Sequence, residues 1–164
     1  MPLTLRNATL ADSDLLLAWR NDPEVIATSA SGKVVMAAEH EAWFIKTLTD
    51  LTVHLYVAET WVGDYGATLP RDPEPPGIWA SVGMGRINED CGIAVLSYSI
   101  AKEYRARWYG GQLVVALVQK AHELGFRSIQ AVSRHTNTAS IRALLSHGFT
   151  IGQAELLVLR RELR

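Results

Sequence analysis

The sequence lacks the features that mark several classes of protein. Its 164 residues include one cysteine, Cys91, which excludes an intrachain disulfide and a cysteine-rich zinc site, and we predict no metal site. Lysine and arginine total 16 against 17 acidic residues, and this balance argues against bulk nucleic-acid binding, which needs a basic excess. No apolar run approaches the roughly 20 residues of a membrane span, and residues 1–6 lack a signal-peptide pattern. We therefore expect a soluble, cytoplasmic protein that binds no membrane.

The composition that is present fits one globular domain. Hydrophobic residues make up 48% of the chain and charged residues 20%. The length suits a single compact unit covering residues 1–164. A chain of this size buries about 70% of the surface that its unfolded form exposes, so we expect a self-sufficient core.

Hydrophobic patterning predicts an α/β (α+β) chain in the order β-α-α-β-β-β-α-β-α-β. Alternating apolar residues indicate strands, and apolar residues at helical spacing indicate about four helices. The predicted strands cover residues 4–6, 53–58, 81–87, 92–100, 128–133 and 154–163. The predicted helices cover residues 37–48, 110–124 and 137–147, together with one that begins near Ala11 and ends at Asn21-Asp22-Pro23.

Two connections between the predicted strands stand out. Asn88, Glu89 and Asp90 are typical turn residues and predict the hairpin between residues 81–87 and 92–100. Residues 63–77 contain four prolines and are long for a hairpin connection. This proline-rich loop is either a surface excursion or a flap that faces a substrate.

The stretch from Leu96 to Leu113 carries the clearest chemical signal. A predicted strand ends there, and a short loop with Arg105 and Arg107 opens the long helix at Gly110 and Gly111. The first N–H groups of a helix are unpaired, the helix dipole is positive there, and glycines admit a ligand close to the backbone. These features favour a phosphate or pyrophosphate site. The alternative is an ordinary strand-to-helix turn with exposed arginines.

Three segments in sequence order resemble the GNAT superfamily of acetyl-CoA-dependent N-acetyltransferases. Arg105-Ala106-Arg107-Trp108-Tyr109-Gly110 is similar to the family signature Arg/Gln-x-x-Gly-x-Gly/Ala. Residues 137–149 resemble the family's Asn-x-x-Ser/Ala-Ile helix, which ends in Gly-Phe. Residues 19–25 and 39–44 resemble the subgroup of ribosomal-protein N-terminal acetyltransferases and the aminosugar acetyltransferase of pseudaminic acid synthesis. The resemblance implies a mixed, mostly antiparallel, twisted sheet with splayed central strands.

The resemblance also implies which residues bind the cofactor, acetyl-CoA. The strand backbone at Ser99 and Ile100 would lie beside the pantetheine arm, and Asn137 and Ser140 would contact the pantetheine or the far end of the cofactor. The pyrophosphate would be held by the loop and helix start, namely Arg105, Ala106, Arg107, Trp108, Tyr109, Gly110 and Gly111.

The sequence departs from the family pattern at three points. Trp108 stands where the signature has its first glycine, and a glycine conformation would strain it. Leu144 replaces a tyrosine that many relatives use to protonate the leaving thiolate, so the thiolate leaves unassisted or Ser140 or Tyr98 donates the proton. Residues 93–95 are apolar where relatives often have a glutamate, so the resemblance supplies no base.

The remaining candidate site residues each have an ordinary structural alternative. We predict Tyr98 near the reacting atoms, with strand packing as the alternative, and Glu89 as a catalytic candidate, with a solvated turn as the alternative. Arg20, Asn21 and Trp43 are expected to shape the acceptor pocket; the alternatives are a helix-end cap, surface charge and core or rim packing.

The expected function is transfer of an acetyl group from acetyl-CoA directly to a primary amine. The acceptor is a nucleotide-linked aminosugar or a protein N-terminus, and the enzyme is a monomer or a homodimer. The alternative is a non-catalytic acyl-CoA-binding sensor domain that kept the fold and lost the chemistry.

Overall fold

A computed structural model of the chain describes residues 3–29, 31–63, 77–152 and 157–163. In these ranges seven strands form one sheet in the order β1-β2-β3-β4-β5-β7-β6, with five α-helices. The strands are β1 (Thr4–Asn7), β2 (Val53–Gly63), β3 (Gly77–Asp90), β4 (Ile93–Ile100), β5 (Ser128–Ser133), β6 (Thr150–Ile151) and β7 (Leu157–Glu162). The helices are α1 (Ser13–Arg20), α2 (Pro23–Thr28), α3 (Ala37–Thr49), α4 (Tyr109–Glu123) and α5 (Thr138–Ser146).

The sheet is mixed but mostly antiparallel, as predicted. β1 to β4 pair in sequence order as an antiparallel meander. β4 and β5 form the parallel pair, and β7 lies antiparallel between β5 and β6. The parallel pair needs a long crossover, and α4 provides it.

Helices cover both faces of the sheet. Leu113 and Leu117 of α4 and Leu144 of α5 pack in the larger core on one face. Leu16 of α1 and Phe44 of α3 pack in a smaller cluster on the other face. In the described part of the chain, none of these helices has the length and apolar character needed to cross a membrane.

Gly85 allows α4 to lie close to β3. A Cβ atom added at this glycine would stand 2.6 Å from Leu117 Cδ2, closer than real Cβ contacts. On the opposite face, Met84 of the same strand packs with the smaller cluster, because successive strand residues point to opposite faces. The close approach sets the middle of α4, at Leu117, against β3 at the position that pairs with Tyr98 of β4.

The first helix ends as predicted, but a second helix begins at once. α1 ends at Arg20, and Pro23 is the first residue of α2. The Asp22 side chain caps α2 by accepting hydrogen bonds from the N–H groups of Glu24 and Val25. Proline suits this position because the first N–H of a helix has no partner. The prediction read Pro23 only as a stop signal.

The predicted hairpin turn at Asn88, Glu89 and Asp90 is wrong by a few residues. These three belong to β3 and pair with the start of β4, and the turn is Cys91-Gly92. Both turn residues have positive φ, 49° and 79°. A two-residue hairpin with this backbone matches the right-handed twist of its strands.

β2 and β3 are also longer than predicted. β2 and β3 extend to Gly63 and Gly77, so these ends of the predicted proline-rich loop are strand, and residues 64–76 lie outside the described residues. In the described ranges the last strand covers Leu157–Glu162, and residues 154–156 of the predicted strand lie outside those ranges.

Arg6 ties the first strand to two other elements. Its guanidinium donates two hydrogen bonds to the Asp12 carboxylate at 2.8 and 2.7 Å, and its Nε donates to Glu59 at 2.8 Å. Asp12 also accepts a hydrogen bond from the Thr9 backbone. The hydrogen bonds from Arg6 lower the pKa of this buried carboxyl from 3.8 to about 2.

We predict an acid-sensitive contribution of Asp12 to stability. A lowered folded-state pKa stabilises the protein above pH 3.8, and this contribution is lost as the pH falls through about 2. Its size is about 2 kcal/mol. Denaturant unfolding between pH 5 and pH 2 should therefore lose more free energy in the wild type than in Asp12→Asn. Glu41→Gln, an exposed change on α3, should keep the wild-type slope; equal slopes in all three proteins would contradict the prediction.

Candidate active site

The sheet opens between β4 and β5. These two strands pair at only three positions, from Ala94 with Ile129 to Leu96 with Ala131. β4 stays paired with β3 as far as Ile100. Among the strands that the structure describes, residues 97–100 therefore have no partner on their β5 side. Backbone polar groups without a strand partner need another one, so this edge can bind a ligand. The predicted splay of the central strands is confirmed.

The loop after β4 contains two non-glycine residues in the left-handed conformation. Ala106 has φ 57° and Trp108 has φ 66°. Each conformation costs roughly 1–2 kcal/mol for a residue with a Cβ atom. Such strain is often found where a loop clamps a ligand, and turn conformations of this kind form anion-binding concavities from successive N–H groups. Trp108 thus adopts the glycine-like conformation that the signature implies, and 89% of its surface is exposed.

The two glycines at the start of α4 have different structural reasons. A Cβ atom at Gly110 would have no heavy atom within 4 Å, so nothing in the described fold requires glycine there. A Cβ atom at Gly111 would stand 2.9 Å from His147 Cε1, so a larger residue there would have to displace the His147 ring at the end of α5. Only Gly110 leaves open space at the helix start, which is the space a ligand needs.

Arg105 is occupied by contacts within the protein. Its Nη2 lies 3.0 Å from Asp22 Oδ1, its Nη1 lies 2.9 Å from Glu24 Oε2, and its Nε donates to the Ile100 carbonyl at 3.0 Å. The side chain therefore fixes α2 against the end of β4. Arg107 is exposed and carries the other positive charge of the loop.

Tyr98, Ser140 and Asn137 meet beside the opening. The Tyr98 hydroxyl lies 3.0 Å from Ser140 Oγ, and the Asn137 side chain accepts a hydrogen bond from the Ser140 N–H, which caps α5 as predicted. The pKa of Tyr98 is raised, because burial raises it and the hydrogen bond with Ser140 offsets only part of that increase. Leu144, one turn after Ser140, is buried in the core and does not line the opening.

Glu89 lies away from this group. It is exposed and paired with Ala94 near the hairpin turn, whereas Tyr98 is paired with Gly85. The two pairs are four positions apart, which corresponds to about 13 Å along a strand. The structure therefore does not bring Glu89 to Tyr98.

The predicted acceptor residues lie on the α1/α3 side of the sheet. Arg20 donates a hydrogen bond from Nη2 to Ser31 Oγ at 2.9 Å. Asn21 exchanges two 2.8 Å hydrogen bonds with the backbone of Val35 and so holds the segment before α3. Trp43 is exposed on α3.

Arg86 was not among the sequence-based candidates. Its guanidinium carbon lies 5.7 Å from the centroid of the Trp43 ring, and its Nε is buried with no hydrogen-bond partner. Burial lowers the pKa of this guanidinium. The available signal was an arginine inside the predicted strand 81–87, where apolar residues are the rule.

Comparison with known proteins identifies the family. The acetyltransferase (GNAT) domain model matches residues 2–150. The chain is a member of the GNAT acetyltransferase family. Among curated proteins, none matches this GNAT sequence significantly.

Solved structures share the GNAT fold at low sequence identity. A domain from Methanocaldococcus jannaschii DSM 2661 has 17% identity and a TM-score of 0.80, covering 98% of each chain. AAC(6')-Ib in complex with ribostamycin and coenzyme A has 17% identity and a TM-score of 0.76, covering 99% of this chain and 94% of that one. Spermidine N-acetyltransferase from Vibrio cholerae, in complex with CoA and spermine, has 16% identity and a TM-score of 0.72, with coverages of 97% and 93%.

The left-handed Trp108 leads to a stability prediction. Glycine accepts this backbone conformation without strain, whereas alanine does not, and the exposed ring contributes little packing. Trp108→Gly should therefore unfold with a free energy about 1 kcal/mol higher than Trp108→Ala. Denaturant titration measures both. The reverse order would mean that residue 108 is not left-handed in solution.

Proposed function

We propose that this GNAT domain is an enzyme that transfers an acetyl group from acetyl-CoA to a primary amine. The observation that carries the proposal is the unpaired edge of β4, which leads directly into a loop and helix start with open space at Gly110. Family membership supports the acetyl transfer. The neighbours solved with coenzyme A and with ribostamycin or spermine support an amine acceptor.

The residues at the start of α4 suit the diphosphate of coenzyme A. The left-handed Ala106 and Trp108 shape a concave backbone, and the positive end of the α4 dipole lies beside it. Arg107 adds a positive charge. A Cβ atom at Gly110 would occupy the space in front of the helix. We therefore assign the diphosphate to the backbone from Ala106 to Gly111, and the pantetheine arm to Ser99, Ile100, Asn137 and Ser140.

Acetyl-CoA would supply a thioester, whose carbonyl carbon an amine can attack and whose sulfur is a good leaving group. The β4 edge provides backbone N–H donors that can stabilise negative charge developing on an oxygen. Tyr98 keeps its proton at neutral pH, because an ordinary tyrosine has a pKa of about 10 and burial raises the pKa of Tyr98 further. We assign its hydroxyl as the proton donor and Ser140 as the group that orients it.

The amine must lose a proton before it attacks. A base must lie within hydrogen-bond reach of the amine or act through a water chain, and about 13 Å of strand separates Glu89 from the Tyr98 pair. We therefore propose that solvent water takes the proton. At that distance Glu89 would reach the amine only through a chain of water molecules.

The finer assignment concerns the acceptor. The motifs at residues 19–25 and 39–44 favour the subgroup that acetylates ribosomal-protein N-termini or the aminosugar of pseudaminic acid synthesis. Arg20, Asn21 and Trp43 lie on the side of the sheet where such an acceptor would enter. We propose a nucleotide-linked aminosugar or a protein N-terminus as the acceptor class.

Gly110→Glu tests the diphosphate assignment. A carboxylate at this position would repel the diphosphate, so calorimetry should detect no coenzyme A binding. Gly110→Ala should weaken binding while leaving thermal unfolding unchanged, because the added methyl group meets no protein atom. Val115→Glu adds the same charge at an exposed position of α4 and should bind as the wild type does. Unchanged affinity in folded Gly110→Glu would overturn the assignment.

Tyr98→Phe tests the proton donor. We expect kcat for thiol release to fall at least about tenfold, with the coenzyme A affinity unchanged. Tyr56→Phe removes another buried tyrosine hydroxyl, opposite the same Gly85, and should keep the wild-type kcat. A wild-type kcat in Tyr98→Phe would mean that Tyr98 packs beside the opening and does not donate the proton. Coenzyme A binding without thiol release, across a broad panel of amines, would favour the sensor domain instead.

A further inference from the structure

Arg86 is a largely buried cation without a counter-charge in the described part of the chain. No hydrogen bond or ion pair joins any of its nitrogens to the described residues, and its Nε is fully shielded from solvent. Burial removes part of the water that would solvate this charge, so an anionic partner would stabilise the guanidinium. Its lowered pKa has the same cause, because burial removes water and no carboxylate replaces it.

The position of Arg86 links it to the opening in the sheet. It pairs directly with Ser97, the first residue of β4 beyond the last β5 pair. Paired residues of antiparallel strands share a face, so Arg86 and Ser97 both lie on the α1/α3 side. Tyr98 extends to α5 on the opposite face. Arg86 and Tyr98 thus flank the start of the opening from its two sides.

Trp43 holds the Arg86 side chain without using its hydrogen-bond donors. The ring lies 5.7 Å from the guanidinium carbon, and a cation–π contact involves no N–H hydrogen bond. The planar guanidinium can then donate two parallel hydrogen bonds to the oxygens of a carboxylate or phosphate. No protein group in the described ranges fills that role.

A second guanidinium on the same side of the sheet has a nitrogen without a hydrogen-bond partner. Arg20 has a buried Nη1 without a partner, and it follows Leu16 of the smaller cluster by one helical turn. The carboxylates that follow it, Asp22 and Glu24, are both paired with Arg105 at the end of β4. Arg20 and Arg86 thus place two guanidinium groups on the α1/α3 side of the sheet, and the two carboxylates that follow Arg20 in sequence are already engaged.

We infer that the acceptor amine also carries an anionic group, a carboxylate or a phosphate, and that Arg86 binds this group on the face of Trp43 while the amine lies at the β4 edge. This inference rests on the proposed acetyl transfer. Polyamines such as the spermine bound by one structural neighbour carry the opposite charge and would be poor acceptors.

Anion binding at Arg86 is tested by NMR without knowledge of the natural acceptor. The full chain, labelled with ¹⁵N and saturated with coenzyme A to fill the diphosphate site, is titrated with inorganic phosphate and separately with acetate. The Arg86 Nε–H signal is assigned by its loss in Arg86→Lys. We expect it to shift and saturate with at least one anion, and the stronger shift identifies phosphate or carboxylate. A signal that moves with neither anion overturns the inference.

Steady-state kinetics test the same inference in the reaction. Glycine is compared with glycinamide, and O-phosphoethanolamine with ethanolamine, so that each pair differs in the anionic group. We expect acetylation of the anionic member of at least one pair, with its KM raised about tenfold to a hundredfold in Arg86→Gln. The KM for acetyl-CoA should stay the same, and Arg127→Gln, an exposed arginine away from the opening, should match the wild type.

The two proposals fail in different ways. Rapid acetylation of spermine or ethanolamine, with an Arg86→Gln variant as active as the wild type, would overturn the anionic acceptor and keep the acetyltransferase. Absence of coenzyme A binding and of thiol release would overturn the acetyltransferase. The NMR titration without coenzyme A would then still decide whether Arg86 binds an anion.

Discussion

β4 pairs with β3 along its whole length but with β5 at only three positions, and the candidate site depends on this difference in pairing. If β5 followed β4 to its end, the ladder would satisfy the backbone of residues 97–100 and leave no edge for a ligand. Tyr98 spans from β4 to Ser140 on one face, and Arg86 stands beside Ser97 on the other. In the proposed reaction, the acetyl donor and the amine would approach this short piece of backbone from its two sides.

Positive charge around this opening serves two different purposes. Arg105 belongs to the family signature, yet its guanidinium joins α2 to the end of β4 and is neutralised by Asp22 and Glu24. In the proposed diphosphate site, anion binding at the start of α4 would therefore depend on backbone N–H groups, the helix dipole and Arg107. Arg86 lacks such neutralisation among the described residues. The whole chain has a formal net charge of −1, and yet positive charge is in local excess around the opening, where the proposed ligands would bind.

Local patterns predict most of the fold, because strands and long helices follow from apolar periodicity. They also predict the loop after β4 and the α5 cap, whose side-chain chemistry is local. The α2 helix was missed because proline is both a helix stop and a favoured first residue, and the Asp22 cap decides between them. The hairpin turn was misplaced because the polar residues before Cys91 resemble a turn, whereas cross-strand register sets its position. Arg86 was missed because its environment comes from Trp43, far away in the sequence.

Cys91 has a practical consequence for work on this protein. It is the one cysteine of the chain, it is exposed, and it occupies the tight turn at the far end of β4 from the opening. A maleimide dye or spin label would therefore attach at a single defined point without any change of sequence. In an assay that follows released coenzyme A with a thiol reagent, each chain adds one reactive thiol to the background.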